Sequence, residues 1–230
     1  MLAGASGAGG GDDTQRSLRF NAGDSAHLSR TVSSSSNRKT YTFSTWVKKV
    51  SSDSLVNMIF GSYTDGSNRL YLAHQGATDK ILLYCRIGGA DIVEITTDAV
   101  FRDYSAWMHL VLSIDSTASA SADRVKIYIN GTQQSLNTAV ALGQNVDTYI
   151  NAAAPHYIGF LSGASYLNGY LADIQFVDGQ ALDYTSFTEF DANGVLQPKA
   201  YSGTYGTNGF HLDFKDNSSS AALGNDAAGS

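Results

Sequence analysis

One cysteine, Cys85, stands in a chain of 230 residues, so no internal disulfide can brace the fold. Its setting, KILLYCRI, puts it on one strand face with Ile81, Leu83 and Ile87, which suits a buried and inert thiol. The lack of disulfides fits folding in a reducing cytoplasm. Basic residues are also few: 15 Lys and Arg against 21 Asp and Glu give a net charge of −6, and the basic ones are scattered. That pattern leaves no footprint for a phosphate backbone, so nucleic acid is not an expected partner. The start, MLAGASGAGGGDD, has neither a positive n-region nor an apolar run. It reads as a flexible arm rather than a signal peptide or anchor, and membrane insertion is not expected.

Catalytic spacings are missing as well. His27, His74, His109, His156 and His211 are spread through strands with no i, i+2 or i, i+4 partner of the kind a metal needs. No Cys-His dyad is signalled around Cys85. Gly88-Gly89 has no Lys-Ser or Lys-Thr behind it to make a phosphate loop. Helical periodicity is nearly absent, and ALDYTSF, Ala181 to Phe187, is the one helix candidate, long enough for one or two turns. No internal repeat sets a period, which argues against a propeller or a solenoid.

What remains is β-structure. In WMHLVLSID, Met108, Leu110, Leu112 and Ile114 alternate with Trp107, His109, Val111 and Ser113, the period of a strand lying on a core. Val125, Ile127 and Ile129 then alternate with Arg124, Lys126, Tyr128 and Asn130, giving one apolar and one polar face. Asn130-Gly131 closes a hairpin, because a two-residue turn needs positive φ. With Thr132 it also forms a glycosylation sequon. Roughly a dozen short runs of this kind, bounded by turn residues, predict an all-β fold of two packed antiparallel sheets. Residues 1–16 read as a Gly-rich arm, 17–216 as one jelly-roll domain and 217–230 as a flexible tail.

The run Trp107 to Gln134, with Trp-x-His and then Tyr-x-Asn-Gly, resembles the strand, loop and hairpin of concanavalin A-like lectin/glucanase domains of the laminin G-like group. Tyr157-Ile158-Gly159 followed by Asn168-Gly169-Tyr170-Leu171-Ala172-Asp173-Ile174 is similar to that group's second signature. The segments SLRFNAGDSAHLSRT and VDGQALDYTSFTEFDANGVLQPKAYSGTYGTNGFHLDF resemble laminin G-like domains of tailed-phage virion surface proteins of tail-fibre type. This likeness implies an antiparallel jelly-roll sandwich on a virion surface, in the tail or capsid. The expected partners are other virion proteins, host cell-surface glycans and further copies of the chain, a trimer being favoured. The function it implies is a tail-associated adhesin, with capsid decoration as the alternative and glycan hydrolysis as a remote one.

Glucanases of the same fold carry Glu-x-Asp-x-x-Glu along one strand, and this chain has no such spacing. Its nearest acidic pairs are Asp91 with Glu94 and Glu189 with Asp191, neither with a third partner. No cofactor is required by this reading. A rim Ca²⁺, which many relatives hold, has Asn21, Asp24, Asp173 and Asp178 as candidate ligands. For a glycan, the wanted chemistry is an aromatic platform beside amides and carboxylates. The loops SYTDGSN and LSGASYLN supply Tyr63, Asp65, Asn68, Tyr166 and Asn168.

Overall fold

The computed structural model describes residues 16–50, 56–163 and 165–228. In chain order the first strands are β1 (Leu18–Phe20), β2 (Leu28–Thr31), β3 (Thr40–Lys49), β4 (Val56–Asp65), β5 (Asn68–Gln75) and β6 (Lys80–Ile87). They are followed by β7 (Ala90–Thr97), β8 (Met108–Asp115), β9 (Val125–Ile129), β10 (Thr132–Gln133) and β11 (Leu136–Val140). The last are β12 (Pro155–Ile158), β13 (Gly169–Asp178), β14 (Thr188–Phe190), β15 (Leu196–Pro198) and β16 (Phe210–Leu212). One sheet runs β1-β13-β3-β8-β9-β10, with β16 also on β13; the other runs β11-β7-β6-β5-β4-β12-β2. All pairings are antiparallel, as the alternation predicts, and the two sheets form a jelly-roll sandwich.

The core lies where the alternation places it. Leu110, Leu112 and Ile114 of β8 are fully buried, as are Leu70 and Leu72 of β5 and Leu83 and Cys85 of β6. Aromatic rings bridge the layers: Phe43 of the first sheet stacks on Phe60 of the second at 4.4 Å, and Phe60 meets Phe176 at 5.5 Å. Such pairs add about 0.5–1.5 kcal/mol each beyond the area they bury. Asn130 and Gly131 take φ of 48° and 78° in the two-residue turn between β9 and β10. The Asn130 carboxamide oxygen accepts from the His109 N–H at 2.8 Å, which ties this turn to β8.

The chain crosses from one sheet to the other through the loop between β12 and β13, and Gly159 makes that crossing possible. It has φ +80°, and a Cβ there would lie 2.4 Å from Cδ1 of buried Phe20. Beyond β13 the chain folds back over the outer face of the first sheet. There Phe187 and Tyr201 pack with Val111, Tyr128 and Val177 as a second small core. The helix candidate is a single 3-10 turn, Tyr184–Ser186, capped by the Asp183 side chain, which accepts from the Thr185 N–H. A 3-10 turn at Ala22–Asp24, capped by the Asn21 side chain, precedes β2. Strands β11, β14 and β15 were not expected from the sequence.

Of the arm at 1–16, only Arg16 lies within the described residues. The segment expected as a tail carries a 3-10 turn at Ala222–Gly224 and returns to β16, where the His211 N–H donates to Asp226 and the Ala227 N–H to the His211 carbonyl. Among the described residues no helix is long and apolar enough to cross a membrane.

Candidate functional site

The outer face of the first sheet is covered by the returning chain, whereas the outer face of the second carries a regular plate of polar and aromatic side chains. Strand register builds it. One cross-strand row reads Tyr63, Arg69, Arg86 and Asp91 on β4 to β7. The next row reads Tyr157, Gly61, Tyr71, Tyr84 and Glu94 on β12 and β4 to β7. These positions face outward because their strand neighbours Leu70, Leu72, Leu83, Cys85 and Val93 fill the interior. At Gly61 a side chain has no room, since a Cβ would meet the Leu70 carbonyl at 2.5 Å and Leu161 at 2.8 Å. Leu161 packs there with Met58 and Ala73, and Tyr63 and Tyr71 border the same cluster.

The plate is cross-linked. Tyr71 and Tyr84 lie 5.3 Å apart at 33°, and the Arg69 guanidinium sits 5.3 Å from the Tyr84 ring centre. Tyr84 donates its hydroxyl to Asp91 Oδ1 at 2.5 Å, and Arg86 donates Nε–H to the same oxygen at 2.7 Å. The Arg86 hydrogen bond, with that of Tyr84, holds the Asp91 carboxyl below its ordinary range. A carboxylate kept ionised in this way is poorly suited to donate a proton as a general acid. Burial, followed by the bond to Asp91, raises the Tyr84 phenol. The result is a cross-linked surface on which Tyr63 and Tyr71 are half-buried and Tyr84, 8% exposed, lies beneath the Arg86 and Asp91 side chains.

The five glycan candidates do not meet in one place. Tyr63 joins the plate. Asp65 and Asn68 hold the β4–β5 turn instead: Asp65 accepts from the Ser67 N–H at 2.7 Å, and Asn68 accepts from the Gly88 N–H at 3.0 Å. Tyr166 stacks on Phe160 at 4.6 Å beside His27 and Tyr157, at the far border of the plate. Asn168 is held by Arg19 at 2.9 Å. Residues Arg69, Tyr71, Tyr84 and Arg86 escaped the sequence reading, which sought tyrosines in loops and took Asp91 and Glu94 only as an acidic pair without a third partner. The signal was present in RLYLA and LLYCRI, where each Tyr alternates with core leucines.

The four metal candidates are likewise dispersed. Asn21 donates to Asp24 at 2.5 Å within one turn, near the Phe20–Gly169 pair. Asp178 stands nine residues along β13 from Gly169, roughly 30 Å away at strand rise, and accepts from Asn151 and the Asn208 N–H. Asp173 sits in a bulge of β13 with φ +48°, accepting from Gln175 at 3.0 Å, and is 2.6 Å from His211 Nε2. Both carboxylate oxygens of Asp173 and of Asp178 accept from protein donors, and no cluster of three or more His, Cys, Asp or Glu with metal-holding geometry occurs among the described residues. Ser44 and His109 make a 2.9 Å contact, but at 0% and 1% exposure the pair is closed to any substrate.

The sequence matches the concanavalin A-like lectin/glucanases superfamily, laminin G type, over residues 20–183, more than half of the chain. The chain belongs to this superfamily. Mouse laminin α1 domains LG4-5 superpose with a TM-score of 0.52 at 13% identity, covering 92% of this chain and 50% of that one. The heptameric SAP-like pentraxin of Limulus polyphemus gives 0.51 at 16%, covering 72% and 76%. The enzymatically active domain of bacteriophage CBA120 tailspike protein 2 gives 0.52 at 12%, covering 74% of this chain and 26% of that one. These likenesses show the fold, a lectin-like jelly roll that the superfamily shares between lectins and glucanases. No curated protein sequence matches the chain.

Proposed function

We propose that the protein is a non-enzymatic surface adhesin of a phage particle, of tail-fibre or tail-associated type, whose plate on the second sheet binds host-surface glycans. The observation that carries this reading is the plate itself. Sugars offer an apolar C–H face and a ring of hydroxyls, and here tyrosine rings stand beside Arg donors and carboxylate acceptors on a cross-linked sheet face. A binding role rather than hydrolysis is supported by Asp91, which Arg86 and Tyr84 keep ionised, a state that does not donate the proton glycoside hydrolysis needs. The virion setting rests on the phage-like segments of the sequence. A Ca²⁺ ion has no part in this reading.

The test is saturable binding of the purified chain to host cells and to their envelope polysaccharide, with and without a calcium chelator. Binding that survives chelation, with no release of new reducing ends, is the expected result. Absence of saturable binding overturns the reading. Antibody labelling of intact particles locates the protein, with label at the tail expected and label over the head favouring capsid decoration.

A further inference from the structure

A separate cleft opens at the edge of the sandwich, between β2 and β12 on one side and β16 with the returning C-terminal segment on the other. It holds about 290 Å³. Its inner surface is apolar, with Phe60, Ile158, Phe210 and Leu212 all less than a tenth exposed. At the mouth stand two exposed charged groups, Arg30 and Asp226. The Arg30 guanidinium lies 4.9 Å from the Phe210 ring centre and donates one hydrogen bond, to the Asn208 carbonyl. Asp226 uses Oδ1 to accept from the N–H groups of His211 and Ala228. Asp226 is also the carboxylate that acts most strongly on Arg30.

We infer that this cleft is a second ligand site, meeting the plate at Tyr157, that takes one neutral sugar ring. Three features select that class. The charges of Arg30 and Asp226 oppose each other, so the mouth attracts neither an anion nor a cation but offers donors and an acceptor to neutral hydroxyls. The aromatic and aliphatic interior suits the C–H face of a ring. The volume stands at the low end for ligand pockets, room for one ring rather than several.

The test uses the full chain with methyl groups labelled for NMR, titrated separately with the methyl glycosides of glucose, galactose and mannose, with N-acetylglucosamine, and with isopropanol as a small-alcohol control that lacks a sugar ring. Saturable shifts at the Leu28, Ile158 and Leu212 methyls with at least one sugar are expected. Gly224 lines the cleft, and a Cβ added there would meet nothing within 4 Å. Gly224→Phe therefore adds bulk to the cleft lining without a clash at Cβ, and it should weaken that binding at least about tenfold. Arg30→Ala, at an exposed position, weakens it without relying on the first variant's folding. Tyr71→Ala, on the plate, leaves it unchanged, which separates this site from the one proposed above. No shift with any of the four sugars, shifts undiminished in both cleft variants, or saturation by isopropanol alone overturns the assignment.

Discussion

Acid should unfold this protein through two interior histidines. His109 is 1% exposed and His156 6%, and burial lowers the pKa of each from 6.5 to about 4. His156 shows why the charged form is costly. Its Nε2 accepts from the Asn151 N–H at 3.1 Å and its Nδ1–H donates to the Ala154 carbonyl, so a second proton would set two donors against each other. His109 lies against Trp46 and Ser44, and the charge of Asp173 offsets only part of the burial cost. Unfolded, both imidazoles take up protons near pH 6.5; folded, they do so only near 4. Between those values the unfolded chain holds more protons, so stability is complete above pH 6.5 and falls as pH falls toward 4. At about 1.36 kcal/mol per unit, the loss is about 3 kcal/mol per histidine, or about 6 kcal/mol together. That is comparable to the whole stability of many domains. Urea unfolding from about pH 7 to about pH 4 measures it, and His109→Gln and His156→Gln should each remove about half of the slope. A flat profile across that range, or an unchanged slope in the double variant, would refute the reasoning.

Gly159→Ala combines an unfavourable φ with a clash on Phe20 and should destabilise the fold by about 2–4 kcal/mol, read from the urea midpoint at constant m. Burial pushes the Cys85 thiol up to about 12, so it should resist a thiol-titrating disulfide reagent at about pH 8 and react only as the chain unfolds. Phe60→Ala removes the ring that contacts Phe43 and Phe176 across the layers and should cost about 3–5 kcal/mol in the same unfolding assay.

The fold was legible because period-two alternation is a local property that the sandwich obeys at Leu110, Leu112 and Ile114 and again at Leu83 and Cys85. The Asn130-Gly131 turn was legible for the same reason, since its positive φ is a demand on two adjacent residues. The plate was not, because it depends on register between strands: Arg69 meets Arg86 and Tyr71 meets Tyr84 only once β5 and β6 are paired, and no spacing along the chain encodes that. Asp173 and Asp178 are close in sequence yet far apart in role, one held at a bulge by Gln175 and the other by Asn151 and Asn208. Strand β11 was missed because its side chains are mostly exposed and so lack an alternating apolar face.

The account turns on whether the tyrosines of the second sheet contact sugar. The most direct measurement is the affinity of the intact protein for host envelope polysaccharide, compared with that of Tyr71→Ala and Tyr84→Ala variants whose unfolding midpoints show them folded. Each variant should bind about tenfold or more weakly, as truncation of an aromatic anchor does. Undiminished affinity in both folded variants would contradict the claim and move the glycan site off this face.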